Sequence, residues 1–256
     1  MVTIKTKEDI AILREGGKRH ARIMDKLLQK VVVGANTKDL DDYARELIAH
    51  EGGKPAFLNF KPDGAKRPYP ATICISLNDE VVHGIPNELP RILKEGDLAS
   101  VDFGFVYQGL FTDMAVTVPV GKVDEEGQKL VNATREALAV GIKVAKGGKA
   151  VNDIGAAIER YVARFGYGIV EELVGHGVGY GVHEDPYVPN FDMGGKSEKL
   201  QPGMVIAIEP MLNEGDKRVT LDADGYTYRT ADGLRSAHFE HTILITKSDA
   251  EVLTKI

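Results

Sequence analysis

A chain of 256 residues, 43% hydrophobic and 27% charged, holds enough apolar material for a substantial core, and no Pro/Ser-rich linker or charge block divides it, so a single domain over 1–256 is expected. A net charge of −6 gives no reason to expect a nucleic-acid partner, and one cysteine, Cys74, excludes an internal disulfide framework and suits a reducing cytoplasm. With no signal-peptide stretch at the N-terminus and no run of about 18 apolar residues, neither secretion nor a membrane span is expected. The first predicted element is a helix from Lys5 to Lys30. Thr6 and Asp9 frame its start, and Ile10, Leu13, Ala21, Met24 and Leu28 line one face. Such a stripe normally packs on a core, which disfavours a membrane or partner helix. At an offset of 114, Gly34, Asp39, Ala49 and Gly52 match Gly148, Asp153, Ala163 and Gly166, while Leu40, Leu47 and Ile48 correspond to Ile154, Tyr161 and Val162. Each copy reads as the end of one helix, a Gly turn and a second helix of about four turns. Two related halves are therefore expected, each placing two helices outside a shared curved sheet, although amphipathic helices with Gly stops can also match by chance.

The sheet-rich segments, about 71–120 and 168–250, carry the chemistry. Leu98 to Val106 and Leu110 to Val118 form two strand-like runs joined by Tyr107-Gln108-Gly109. Folded about the midpoint of 107 and 108, the hairpin sets residues whose numbers sum to 215 opposite each other, and Asp102 meets Asp113. Directly opposed residues have Cβ atoms roughly 5 Å apart, where like charges repel unless a cation lies between them. On spacing alone, a turn-capping or solvated role for either aspartate stays open. Further on, the run from Gly175 to Pro186 is Gly-rich and carries His176 and His183, a composition suited to backbone that approaches a site closely. From Pro202 to Pro210 the chain makes a turn, an apolar strand and then Glu209, a carboxylate that needs a partner at the end of a buried strand. In the last strand, Ser236 to Thr246, Glu240 alternates with Phe239 and His241, which also permits a solvent-facing Glu240. Asp102, Asp113, His176, Glu209 and Glu240 together form a hard-oxygen donor set suited to a pair of divalent ions around a shared water. A packed sheet does not bury four carboxylates without cations.

These residues also carry a resemblance. His83-Gly84-Ile85-Pro86 after Ser76-Leu77-Asn78-Asp79-Glu80, the Asp102/Asp113 pair, the Gly-His-Gly loop, Ile208-Glu209-Pro210 and Phe239-Glu240-His241-Thr242 occur in the order seen in type I methionine aminopeptidases, which the chain resembles over about residues 4 to 250. The resemblance implies an α/β (α+β) pita-bread fold, a curved antiparallel sheet with two pseudo-symmetric helix pairs on its outer face. It implies removal of the initiator methionine from nascent polypeptides whose second residue is small. It further implies two divalent ions per chain, with Asp102 chelating one, His176 and Glu209 holding the other, and Asp113 and Glu240 bridging. Sequence leaves Co, Mn, Fe and Zn equally suited to such ligands. Glu209 would also take the proton of the water, and the unligated His83 and His183 would donate to the oxyanion or pass a proton to the leaving amine; His83 could equally be a satisfied turn histidine. Asn78 and Ser236 sit where that family often binds a monovalent cation. A cytoplasmic monomer is expected, with the ribosome as a further candidate partner.

The departures from the family lie in the substrate pocket. Of a Gly-Tyr-x-Gly-Tyr-Pro run, only the last Tyr-Pro survives in Gly64-Ala65-Lys66-Arg67-Pro68-Tyr69-Pro70; Val182 stands where an aromatic residue is usual, and Tyr226 where Trp is usual. Tyr69, Cys74 and His83 are the remaining candidate walls, each of which could be plain core packing. Two other readings compete. Prolidase-like or aminopeptidase P-like cleavage of Xaa-Pro bonds would keep the fold and metals, but those enzymes usually carry an extra N-terminal domain. A non-enzymatic pita-bread binding module is disfavoured because all five candidate ligands are present.

Overall fold

The computed structural model describes residues 2–255. The first helix, α1 (Lys7–Leu28), starts at the predicted capping box: the Thr6 hydroxyl accepts from the Asp9 N–H while the Asp9 carboxylate accepts from the Thr6 N–H. Its buried stripe runs through Leu13, Ala21, Ile23, Met24 and Leu27, with Ile10 and Leu28 half-buried at the edge. Three more helices follow, α2 (Thr37–His50), α3 (Glu125–Val144) and α4 (Val151–Val162).

The repeat is structural. Helices α2 and α4 begin 114 residues apart, at Thr37 and Val151. Ahead of them, Gly34 and Gly148 both have φ of 88°. The Gly34 N–H donates to the Leu93 carbonyl at 2.8 Å and the Gly148 N–H to the Leu200 carbonyl at 2.9 Å; Thr37 and Val151 likewise donate to Arg91 (2.9 Å) and Glu198 (2.8 Å). Two glycines in the left-handed region, each with open space where a Cβ would sit, make a symmetric expectation. Gly34→Ala and Gly148→Ala should each destabilise by about 1 kcal/mol through backbone conformation alone. Denaturant melts of the two variants check this; a large inequality would mean that the halves do not share the device.

All strand pairings are antiparallel. The main sheet has nine strands, and its central run is Leu98–Tyr107, Leu110–Pro119, Glu240–Ile245, Val205–Ile208 and Gly175–Gly177. Two apolar cores cover it. One joins α1 and α2 to Ile73, Ile75, Val101, Phe103 and Phe105, and the other joins α3 and α4 to Ile206, Ile208, Phe239 and Ile243. The central strands are thus sandwiched between helices and a second, polar layer of residues, and that layer is the site.

Candidate metal centre

The hairpin of Leu98–Tyr107 and Leu110–Pro119 closes on Tyr107 opposite Leu110, so Asp102 faces Ala115 and Asp113 faces Gly104. The expected direct opposition of Asp102 and Asp113 is therefore wrong by one step. Gln108 (φ 48°) and Gly109 (φ 84°) both take left-handed backbone, as a tight two-residue hairpin turn requires, and this moves the fold point by one residue. Since the opposing numbers change by two, the side chains keep their faces and the two aspartates become diagonal neighbours on one face. Ala115 also faces Glu240 on its other side, so Asp102, Ala115 and Glu240 form one row across three strands. Glu240 is 2% exposed, which removes the solvent-facing alternative. Glu209 follows the Val205–Ile208 strand, whose last residue pairs with His241, and the short Gly175–Gly177 strand beside it supplies His176. The glycines around His176 answer a steric demand: a Cβ on Gly177 would lie 2.2 Å from the Asp185 carbonyl oxygen.

All five expected residues line one cavity. One ligand atom from each of Asp113, His176 and Glu240 lies within 4.8 Å of the others. His176 Nε2 is 3.4 Å from Glu209 Oε1 and 4.0 Å from Glu240 Oε1. The opposite ring nitrogen, Nδ1, donates to the Gly177 carbonyl at 2.9 Å, which leaves the Nε2 lone pair facing the carboxylates. Asp113 is anchored by its backbone N–H donating to the Thr242 hydroxyl at 2.7 Å, while that hydroxyl donates to the Asp113 carbonyl at 2.8 Å.

The electrostatics are those of a cluster made for cations. Burial, and then the neighbouring carboxylates, push Asp102, Glu209 and Glu240 well above the usual carboxylate range, and burial raises Asp113 to about 7. Burial lowers His176 to about 3 and holds His83 at about 4, so both imidazoles are neutral near pH 7. Asp102 Oδ1 and Glu240 Oε1 are buried without a hydrogen-bond partner, and among the described residues no Lys or Arg pairs with any of the four carboxylates. Orphaned buried carboxylate oxygens around a neutral imidazole are what divalent ions would satisfy. The residues therefore fit divalent-metal binding, with Asp113, His176 and Glu240 close enough to share an ion.

A cavity of about 100 Å³ opens directly onto this cluster. Of the expected pocket residues Tyr69, Cys74, His83 and Tyr226 form its walls, together with His183, Phe57, Phe60 and Pro62. Tyr69 and Tyr226 meet edge to face at 5.1 Å, and Phe60 packs edge-on against His183 at 5.7 Å. Val182, expected as a wall, is buried but does not line the cavity, whereas its neighbour His183 does. The aromatic wall that seemed lost from the sequence is thus supplied largely by Phe57 and Phe60, and only the strand-free geometry of 57–70 brings them in. His83 has φ of 60°, a left-handed conformation rare for a non-glycine residue, and this turns its ring into the cavity. His238 was missed. Fully buried, it places Nε2 3.5 Å from Glu209 Oε2, and its place two residues before Glu240 was the available signal; the single strand expected from Ser236 to Thr246 instead breaks at Phe239 into Ser236–His238 and Glu240–Ile245, which pair in different sheets. Asn78 and Ser236 are adjacent, the Ser236 N–H donating to the Asn78 carbonyl at 2.8 Å, but the Asn78 amide already bonds Asp97 and Leu98 and the Ser236 hydroxyl bonds Leu212.

The model of metallopeptidase family M24 matches residues 11–247. The chain belongs to this family. Among M24-like relatives it is 43% identical to a methionine aminopeptidase of Aquifex aeolicus, covering 100% of this chain and 99% of that protein, and 40% identical to methionine aminopeptidase 1 of Bacillus subtilis over the full length of both. The crystal structure of a Thermotoga maritima methionine aminopeptidase superposes with a TM-score of 0.94 at 43% identity, covering 100% of each chain. A prolidase from Pyrococcus furiosus superposes with a TM-score of 0.76 at 24% identity, covering 99% of this chain but 65% of that one, which speaks for the shared M24 fold alone. The mixed antiparallel architecture is that of the pita-bread M24 peptidases.

Proposed function

We infer that this M24 peptidase is a methionine aminopeptidase, hydrolysing the bond after an N-terminal methionine of new polypeptides whose second residue is small. The observation that carries this reading is the buried five-residue donor set opening onto a small cavity walled by Phe57, Phe60, Tyr69, Cys74 and Tyr226. A flexible thioether packs well against aromatic walls of this kind. Full-length identity of 43% to a protein named for that activity, against 24% to a prolidase, favours it over Xaa-Pro cleavage.

In this reading Asp102, Asp113, His176, Glu209 and Glu240 would hold two divalent ions, of Co, Mn, Fe or Zn, and the chain from 1 to 256 acts as one domain, because both halves supply ligands. Such ions would polarise the scissile carbonyl and make a water nucleophilic near neutral pH. The protein's own groups do the rest. Glu209, beside His176 and His238, accepts the proton of the attacking water. His83 and His183, neutral and on the cavity wall, offer N–H donors to the oxygen where negative charge develops, or pass a proton to the departing amine. The cavity takes the methionine side chain, and the wider space of about 600 Å³ beyond His83, His183 and Glu184 receives the chain after the scissile bond. A cytoplasmic location follows from nascent chains as substrate and suits the free Cys74 thiol.

The test is kcat/KM for the metal-loaded protein across a Xaa-Ala-Ser peptide series. Methionine is expected to be best, with norleucine and leucine cleaved more slowly and β-branched or charged first residues rejected. A hydrophobic pocket separates side chains by only about 1–3 kcal/mol per methylene-sized difference, so leucine should lag by roughly 10- to 200-fold. If methionine is not among the two best first residues, or only Xaa-Pro peptides are cut, the methionine reading fails.

A further inference from the structure

The residues ahead of α1 have no part in the chemistry above, yet they are tied into the loop that presents His183. The Lys5 side chain is fully buried, and its ammonium lies 2.7 Å from Glu184 Oε2. The Thr3 hydroxyl donates to the same oxygen at 2.6 Å. The other oxygen of Glu184 accepts from the Gly181 N–H at 3.0 Å and from the Tyr180 N–H. Both carboxylate oxygens are thus engaged, and the segment from 180 to 184 is closed around one side chain.

The rest of the strap completes the hold. Gly179 has φ of 138°, and a Cβ there would come within 2.3 Å of Lys5 Cε, so the lysine stem fills the space that this glycine leaves. The Lys5 ammonium stands 4.1 Å over the Tyr180 ring, and the Tyr180 hydroxyl donates at 2.6 Å to Asp9, the residue that closes the capping box of α1. The Lys5 N–H donates to the Gly203 carbonyl at 2.9 Å, which fixes the strap to the turn before the Glu209 strand. Inside this closed segment, one residue before Glu184, the chain presents His183, whose ring meets His176 at 4.5 Å and Phe60 at 5.7 Å. A buried ion pair is seldom more stabilising than an apolar pair of the same shape, so four donors on one carboxylate are explained better by geometry than by stability.

We propose that Thr3, Lys5 and Glu184 are positioning residues that hold the His183 imidazole in its working orientation from the N-terminal strap. The proposal rests on the part given to His183 above. A displacement of about 1 Å at a reacting group can cost roughly 10²-fold in rate, so loosening the clamp should be felt in turnover more than in substrate binding.

The experiment is a double-mutant cycle on the full-length, metal-loaded protein with Met-Ala-Ser peptide. Lys5→Met is expected to lower kcat by about 10- to 100-fold while KM and metal content stay within about twofold of wild type, and Lys5→Arg should restore most of the loss. In a His183→Ala background, Lys5→Met should cause no further loss, because it acts through a ring that is gone. If Lys5→Met fails to fold with Glu184 left buried and unpaired, Lys5→Met/Glu184→Leu removes both charges and is read in the same way. Wild-type kcat in either folded variant overturns the proposal, as does an equal loss in the His183→Ala background, which marks a merely structural role. Full activity in His183→Ala alone would instead overturn the part given to His183, and the proposal with it.

Discussion

Glu240→Ala is expected to lower kcat/KM by about 10³-fold or more and to reduce the bound divalent metal below two ions per chain. Polarisation by a bound ion contributes several kcal/mol to a hydrolytic transition state, and about 4 kcal/mol corresponds to roughly 10³ in rate. Glu240 is the donor whose loss should matter most, since it sits in one row with Asp102 across three strands and within reach of His176 Nε2. The same residue yields an opposite expectation for stability. Without metal, burial disfavours the charged form of Asp102, Asp113, Glu209 and Glu240, and neighbouring carboxylates add to this at Asp102, Glu209 and Glu240. Glu240→Gln keeps the shape and removes one charge, so the metal-free variant should melt above the metal-free wild type while remaining inactive. Calorimetry with and without chelator, read beside metal content, checks both halves; an active Glu240→Gln protein would rule out Glu240 as a ligand.

Loss of either cavity histidine is the second large effect. His83→Ala and His183→Ala should each lower kcat by roughly 10²-fold or more, with metal content unchanged. Both rings line the cavity, and burial lowers both, so that near pH 7 each is a neutral imidazole that keeps one N–H to donate to developing negative charge. Metal lost in proportion to activity would mean that the rings are ligands or props. The left-handed backbone at His83 adds a control. An Asn there tolerates that conformation better than Ala does, so His83→Asn should fold at least as well as His83→Ala while remaining slow.

The reach of the sequence can be traced residue by residue. The capping box at Thr6 and Asp9, the offset of 114 between Gly34 and Gly148, and the meeting of Asp102, Asp113, His176, Glu209 and Glu240 at one cavity were legible, because caps, left-handed glycines and carboxylates in apolar runs each answer to local rules. The hairpin was read on the correct faces but in the wrong register: a period of two fixes the side of the sheet, while the turn alone fixes the partner. Glu240 could be read as solvent-facing because alternation along one strand does not reveal which face another layer covers. The pocket was the least legible part. Phe57 and Phe60 arrive through an irregular segment with no periodicity, His183 and not Val182 lines the cavity, and the His238 contact with Glu209 joins residues about thirty positions apart in the chain.

The most direct measurement is anomalous diffraction from crystals grown with excess Mn²⁺ or Co²⁺. Two peaks within about 4 Å of each other are expected, ligated by Asp102, Asp113, His176, Glu209 and Glu240 and by no other protein group, with His83 and His183 left free beside them. A site that stays empty at saturating metal, or one in which His83 or His183 replaces a carboxylate as ligand, would contradict the account.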